Sequence, residues 1–154
     1  MIQGYLDETN EEGLMILCDV EKAFDSCSWD YLLESTKSLG FGRYMRDWFG
    51  LLYNHDAPPT RQLKINGQKG PRFSLNSGVP QGDPLSPLAF LFITEAFTRL
   101  IIQNEQLQGI KVGNTRHKIS QFADDTILYL RGFSRLPIMW KLISILGTGN
   151  RHAP

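Results

Sequence analysis

Residues Phe122–Leu130 read FADDTILYL, two adjacent aspartates opening onto an apolar run. Such a run suits a strand. Asp124 and Asp125 then stand at the strand's end, where short polar side chains favour a tight turn. Adjacent carboxylates repel, so the pair needs a partner that makes it tolerable. A second apolar run, LMILCDV over Leu14–Val20, also ends on an acid, Asp19. If the two runs are neighbours in one sheet, up to three carboxylates meet at one edge, with Lys22 as the nearby base. Clustered carboxylates are neutralised well by hard divalent cations, and two such ions form a clamp for phosphoryl transfer. Taken alone, an Asp-Asp pair is more commonly just a polar turn.

The remaining pattern alternates strands and helices. Ser28 is placed to cap a helix over Trp29–Leu39 that Gly40 stops, and Tyr44–Tyr53 reads as a second helix before His55-Asp56-Ala57-Pro58-Pro59. RQLKINGQKGPRFSL alternates about Asn66-Gly67, a strong hairpin signal. A Gly/Pro-rich loop, SGVPQGDP, then opens into a long apolar helix from about Leu85. GIKVG and RHKISQFADDTILYL read as strands, the second broken at Ala123-Asp124-Asp125. Beyond Leu130 the pattern loosens, with a helix over Leu136–Leu146.

At 154 residues the chain is long enough for one core. Its net charge is zero but unevenly spread. Residues 1–56 hold eleven acids against four bases, and residues 57–154 hold twelve bases against five acids. Between Ala57 and Gly82 stand Arg61, Lys64, Lys69 and Arg72 with no acid, which points to a polyanion partner or to a solvated basic hairpin. Cys18 and Cys27 make no disulfide framework or zinc pattern and suit a reducing compartment. The histidines are isolated, which disfavours a metal site built on them. The run Leu88–Phe97, broken by Thr94 and Glu95, is too short to span a bilayer and no signal peptide opens the chain. The expectation is an intracellular protein, nuclear or cytoplasmic.

Three long segments carry a resemblance. LCDVEKAFDSCSWDYLL (Leu17–Leu33), SGVPQGDPLSPLAFLF (Ser77–Phe92) and QFADDTILYL (Gln121–Leu130) occur in that order. Together they resemble the palm blocks of reverse transcriptases from LINE-type, non-LTR retrotransposons. LKINGQKG and LQGIKVGNTRHKIS resemble that family's intervening stretches, so the likeness runs over about residues 4–131. It implies an α+β polymerase palm: a small antiparallel sheet with helices on one face and acids at its exposed end. Residues 1–131 are then a partial palm, and 132–154 a divergent tail.

The resemblance implies RNA-templated DNA synthesis from deoxynucleoside triphosphates onto a DNA primer, with two Mg²⁺ ions, or Mn²⁺ as a substitute. Asp19, Asp124 and Asp125 match the catalytic metal ligands, Asp125 in the most supportive role. Asp25 belongs to the family pattern as a structural or helix-terminal contact. Phe24 matches the ring that lies beneath the incoming sugar and excludes a 2′-hydroxyl, although plain core packing explains a phenylalanine equally well. Ala23 keeps the backbone close to the nucleotide, and Lys22 is either a phosphate contact or a surface lysine. Gln81 and Gly82 match the block that lies against nucleotide and template, Ser86 and Pro87 start the helix beneath it, and Phe122 packs. The hairpin cations Arg61, Lys64, Lys69 and Arg72 suit a sequence-independent contact to the nucleic-acid backbone.

The chain departs from the family in lacking most of the fingers, the primer grip and the thumb. That keeps open a second reading, an inactive retrotransposon relic that binds nucleic acid or a protein partner. A weaker third is a maturase-like splicing factor.

Overall fold

The computed structural model describes residues 13–19, 24–122 and 124–147. Their elements are β1 (Gly13–Cys18), α1 (Trp29–Ser38), α2 (Arg43–Leu52), β2 (Thr60–Ile65), β3 (Gln68–Ser74), α3 (Ser86–Gln103), β4 (Ile110–Val112), β5 (Thr115–His117), β6 (Ile119–Phe122), β7 (Asp125–Arg131) and α4 (Leu136–Gly147), with a 3₁₀ turn at Phe133–Arg135. This is a mixed α+β chain with small antiparallel sheets. The length suggested one core, but the described residues pack as two compact units, 13–19 with 97–147 and 24–96.

The first unit is built on a three-stranded sheet in the order β1-β7-β6. β1 runs antiparallel to β7 from Gly13↔Arg131 to Cys18↔Thr126. Its side chains follow the period of two: Leu14, Ile16 and Cys18 lean on the core while Met15 and Leu17 face outward. Phe97 and Ile101 of α3, Leu107, Leu128 and Leu130 of β7, and Met139 of α4 close that core. Each fully buried leucine contributes about 2 kcal/mol of transfer free energy. Leu136, Ile138, Leu142 and Ile143 pack on the same cluster, so the packing continues past residue 131.

Two expectations change here. The stretch before the acidic pair is not one strand. It breaks after His117 because Lys118 turns to the end of α3, its Nζ donating to the carbonyls of Ile102 and Asn104 at 2.8 Å each. β4 and β5 then form their own hairpin. Phe122, expected to pack, is 84% exposed. Ile119 and Gln121 occupy the more buried positions of β6, and alternation sends Phe122 to the opposite face.

In the second unit α1 begins and ends as its sequence dictates. The Ser28 hydroxyl accepts from the Tyr31 amide at 3.3 Å. At the other end Gly40, with φ +82°, lets its own amide reach Lys37 and that of Phe41 reach Thr36, both at 3.0 Å. Trp29, Phe49, Tyr53 and Phe92 form an aromatic core, with Phe49 edge-on to Phe92 at 5.5 Å. β2 and β3 make the expected hairpin about Asn66 (φ +50°) and Gly67 (φ +85°).

The helix α3 is 18 residues and, by length and composition, long and apolar enough to cross a bilayer, unlike the shorter run read from the sequence. Ala89, Phe92, Ile93, Phe97 and Ile101 are buried within protein, while Leu88, Leu91 and Ile102 are exposed.

Candidate active site

The β1–β7 ladder ends at Cys18↔Thr126. Asp19 follows Cys18 and Asp125 precedes Thr126, so in this antiparallel pair both leave the sheet at the same end. β6 and β7 close on Phe122↔Asp125, which puts Asp124 in the turn. All three aspartates are exposed. The fold thus brings to one sheet edge the three carboxylates that the sequence placed at strand ends. Their donor chemistry, carboxylate oxygens only and open to solvent, suits a hard cation such as Mg²⁺ that keeps part of its shell for water or substrate. Among the described residues, no group of three His, Cys, Asp or Glu side chains is gathered closely enough to hold a metal ion. The acids share an edge without forming a closed cage.

The second unit presents a loop, Ser77–Pro84, held against the turn that begins at Phe24. Three hydrogen bonds make the attachment: the Gly78 amide donates to the Cys27 carbonyl at 2.8 Å, the Val79 amide to the Phe24 carbonyl at 2.7 Å, and the Trp29 indole to the Gly78 carbonyl at 2.8 Å. Gly78 has φ +82°, and a Cβ there would stand 2.6 Å from the Asp25 carbonyl oxygen. Only glycine meets both conditions. The Asp25 backbone thus lies against Gly78. The Phe24 ring stacks on Phe90 with centroids 4.9 Å apart.

Beside this loop lies a pocket of about 580 Å³ lined by Asp25, Arg61, Phe73, Gln81, Gly82 and Asp83 among others. Gly82 has φ +86° with open space where a Cβ would go, so its glycine is required by conformation and not by crowding. Asp83, overlooked in the sequence, organises the loop. One carboxylate oxygen accepts from the Leu85 amide at 3.0 Å, and the other lies 3.6 Å from the Arg61 guanidinium. An acid directly before Pro84 at a helix start was the signal for it. Burial, then the negative charge of Asp83, raises the Tyr53 hydroxyl above its ordinary range. Burial, then Asp25, pushes the Cys27 thiol up to about 12.

The hairpin cations divide between two faces. Arg61 pairs across with Phe73, and both line the pocket. The register then skips one residue of β3 between Gln62↔Arg72 and Lys64↔Lys69. This bulge lets Arg72 and Lys69 join Lys64 on the opposite face. The Gln62 amide steadies it by donating to the Gly70 carbonyl at 2.7 Å. Ala23 and Lys22 lie outside the described residues.

The family profile for reverse transcriptase (RNA-dependent DNA polymerase) matches residues 2–147. The chain is 32% identical over 111 residues to the Pol polyprotein of the type-2 retrotransposable element R2DM of Drosophila melanogaster, covering 72% of this chain and 10% of that protein. It is 34% identical over 118 residues to the Pol polyprotein of the type-1 retrotransposable element R2 of Nasonia vitripennis, covering 76% of this chain and 11% of that one. It therefore spans about a tenth of the length of these curated relatives. In structure it is similar to an apo telomerase from Candida tropicalis truncated from the C-terminal domain, with TM-score 0.58, 17% identity, and coverage of 93% of this chain and 29% of that one.

Proposed function

Because the chain belongs to the reverse transcriptase (RNA-dependent DNA polymerase) family, we propose that residues 1–131 are the palm of a polymerase from a non-LTR retrotransposon, copying RNA into DNA. The observation that supports this most is the β1–β7 register, which puts Asp19 and Asp125 at one sheet end with Asp124 in the adjoining turn. In the reaction, the primer's 3′-oxygen bonds to the α-phosphorus of a deoxynucleoside triphosphate. The bond from that phosphorus to its bridging oxygen breaks, and pyrophosphate leaves.

Asp19 and Asp124, with Asp125 in support, would hold two Mg²⁺ ions, or Mn²⁺ in their place. When bound, such ions favour ionisation of the attacking hydroxyl and stabilise the leaving oxygen. The Phe24 ring takes the part of the gate beneath the sugar, excluding a 2′-hydroxyl, with Phe90 as its support. The same turn accepts the Val79 amide, so the gate and the loop carrying Gln81 and Gly82 are one piece. Gln81 offers an amide with donors and an acceptor to the nucleotide or template. Lys64, Lys69 and Arg72 contact backbone phosphates of the RNA template or the DNA primer. Lys64 and Lys69 stand directly opposite one another, a repulsion that a polyanion relieves.

A second reading, a nucleic-acid-binding domain without catalysis, is favoured by the open arrangement of the three acids. Mn²⁺ titration of the chain, followed by paramagnetic NMR broadening, separates the two. The polymerase reading expects weak binding, since Mg²⁺ and its substitutes share ligands with substrate phosphates. Broadening should centre on Asp19, Asp124 and Asp125 and disappear in Asp124→Asn. Broadening that spares those residues selects the second reading.

A further inference from the structure

We infer that Gln121 is a positioning residue for the acidic turn, its amide clamped between Thr98 of α3 and Thr126 of β7; its value to catalysis rests on the polymerase reading above. Gln121 shares the core-facing side of β6 with Ile119, a place where an apolar side chain would pack without desolvating an amide. Both ends of the amide are engaged. The Thr98 hydroxyl donates to Oε1, and Nε2 donates to the Thr126 hydroxyl at 3.2 Å. Thr126 is 5% exposed, so its bond is sheltered from water.

The bridge lies at a specific level of the sheet. Gln121 and Thr126 are register partners, and Thr126 is also the register partner of Cys18. The clamp therefore ties α3, β6 and β7 together at the last strand pair before Phe122↔Asp125, at the level where β1 delivers Asp19. A slip of one residue in β6 would turn every side chain to the wrong face and carry Asp124 along the edge. An isoleucine in place of Gln121 could fill the volume without opposing that slip, whereas hydrogen bonds to two separate elements oppose it directionally. Groups hydrogen-bonded directly to a metal ligand are typically worth 10- to 100-fold in metal affinity. Gln121 bonds Thr98 and Thr126 and reaches the acids only through their strands, which sets its expected effect at the lower end.

The test compares the 154-residue chain with Thr98→Val, Gln121→Met and Thr98→Ser. Two quantities are read: amide hydrogen exchange at Asp125 and Thr126, and Mn²⁺ affinity by NMR broadening. Thr98→Val and Gln121→Met should exchange faster at those two amides while Leu128 and Leu130 stay protected, and each should bind Mn²⁺ about tenfold more weakly. Thr98→Ser, which keeps the hydroxyl, should match the parent in both. Unchanged exchange in Thr98→Val overturns the inference, and so does faster exchange spread evenly through Leu128 and Leu130, which would mean packing alone. If the parent chain shows no Mn²⁺ binding dependent on Asp124, the metal reading fails, and the exchange result still decides the clamp.

Discussion

The indole nitrogen of Trp29 donates a 2.8 Å hydrogen bond to the carbonyl of Gly78, which lies 49 residues away in the chain. Trp29 is 1% exposed, so this bond joins the start of α1 to the glycine loop inside the core. Trp29→Phe keeps much of the aromatic packing but leaves a buried carbonyl unpaired, and should cost about 1–3 kcal/mol. Gly78→Ala should cost more, because its side chain meets both a positive φ and the Asp25 backbone. Urea unfolding of the two variants checks the order.

The raised thiol of Cys27 makes a prediction about alkaline stability. Its folded value is about 12, against about 8.5 in an unfolded chain. Between those values the unfolded chain has lost a proton that the folded chain keeps. This contribution is therefore fully present below about pH 8.5 and falls as pH rises toward the folded value. Tyr31 and Tyr53 are shifted in the same direction, and Cys27 is one of the groups that raises Tyr53. The difference between parent and variant therefore reports the cysteine together with its part of the Tyr53 shift. Thermal midpoints at about pH 8 and about pH 10.5 should fall less in Cys27→Ala than in the parent.

Stacking of Phe24 on Phe90 makes the proposed gate a supported ring. A double-mutant cycle of Phe24→Val and Phe90→Val should show a coupling of about 0.5–1.5 kcal/mol. In a complete polymerase carrying this palm, Phe24→Val should raise ribonucleotide incorporation more than it lowers deoxynucleotide incorporation. Equal loss of both would identify the ring as core packing alone.

The sorted hairpin should show itself in the salt dependence of nucleic-acid binding. Replacing Lys64, Lys69 and Arg72 together with glutamine should lower the slope of log affinity against log salt by about two to three, one released counterion for each phosphate contact. Arg61→Gln should change that slope least, because its guanidinium is engaged by Asp83 on the other face. Filter binding to an RNA–DNA duplex over a salt series measures both.

The 154-residue chain alone should extend a primer poorly even with its acids intact. It spans about a tenth of the length of the relatives it matches. Misplacement of reacting groups by about 1 Å costs about a hundredfold. Primer extension with purified chain, and Asp124→Asn as the control for contaminating polymerase, checks this. Robust extension that the control abolishes would show that this portion positions its substrates by itself.

What the sequence by itself determined was local and periodic. The Ser28 cap, the Gly40 stop, the Asn66-Gly67 turn and the strand-end positions of Asp19, Asp124 and Asp125 all depend on residues a few places apart. Each was legible as a cap, a turn residue or a period of two. Only the tertiary structure decided what depends on distant partners. It sent Arg61 to Asp83, sorted Lys64, Lys69 and Arg72 by a single bulge, and exposed Phe122. It also tied Gln121 to a hydroxyl 23 residues earlier. The reason is geometric: in a strand, one residue of register decides which face a side chain joins, and that residue is set by the neighbouring strand.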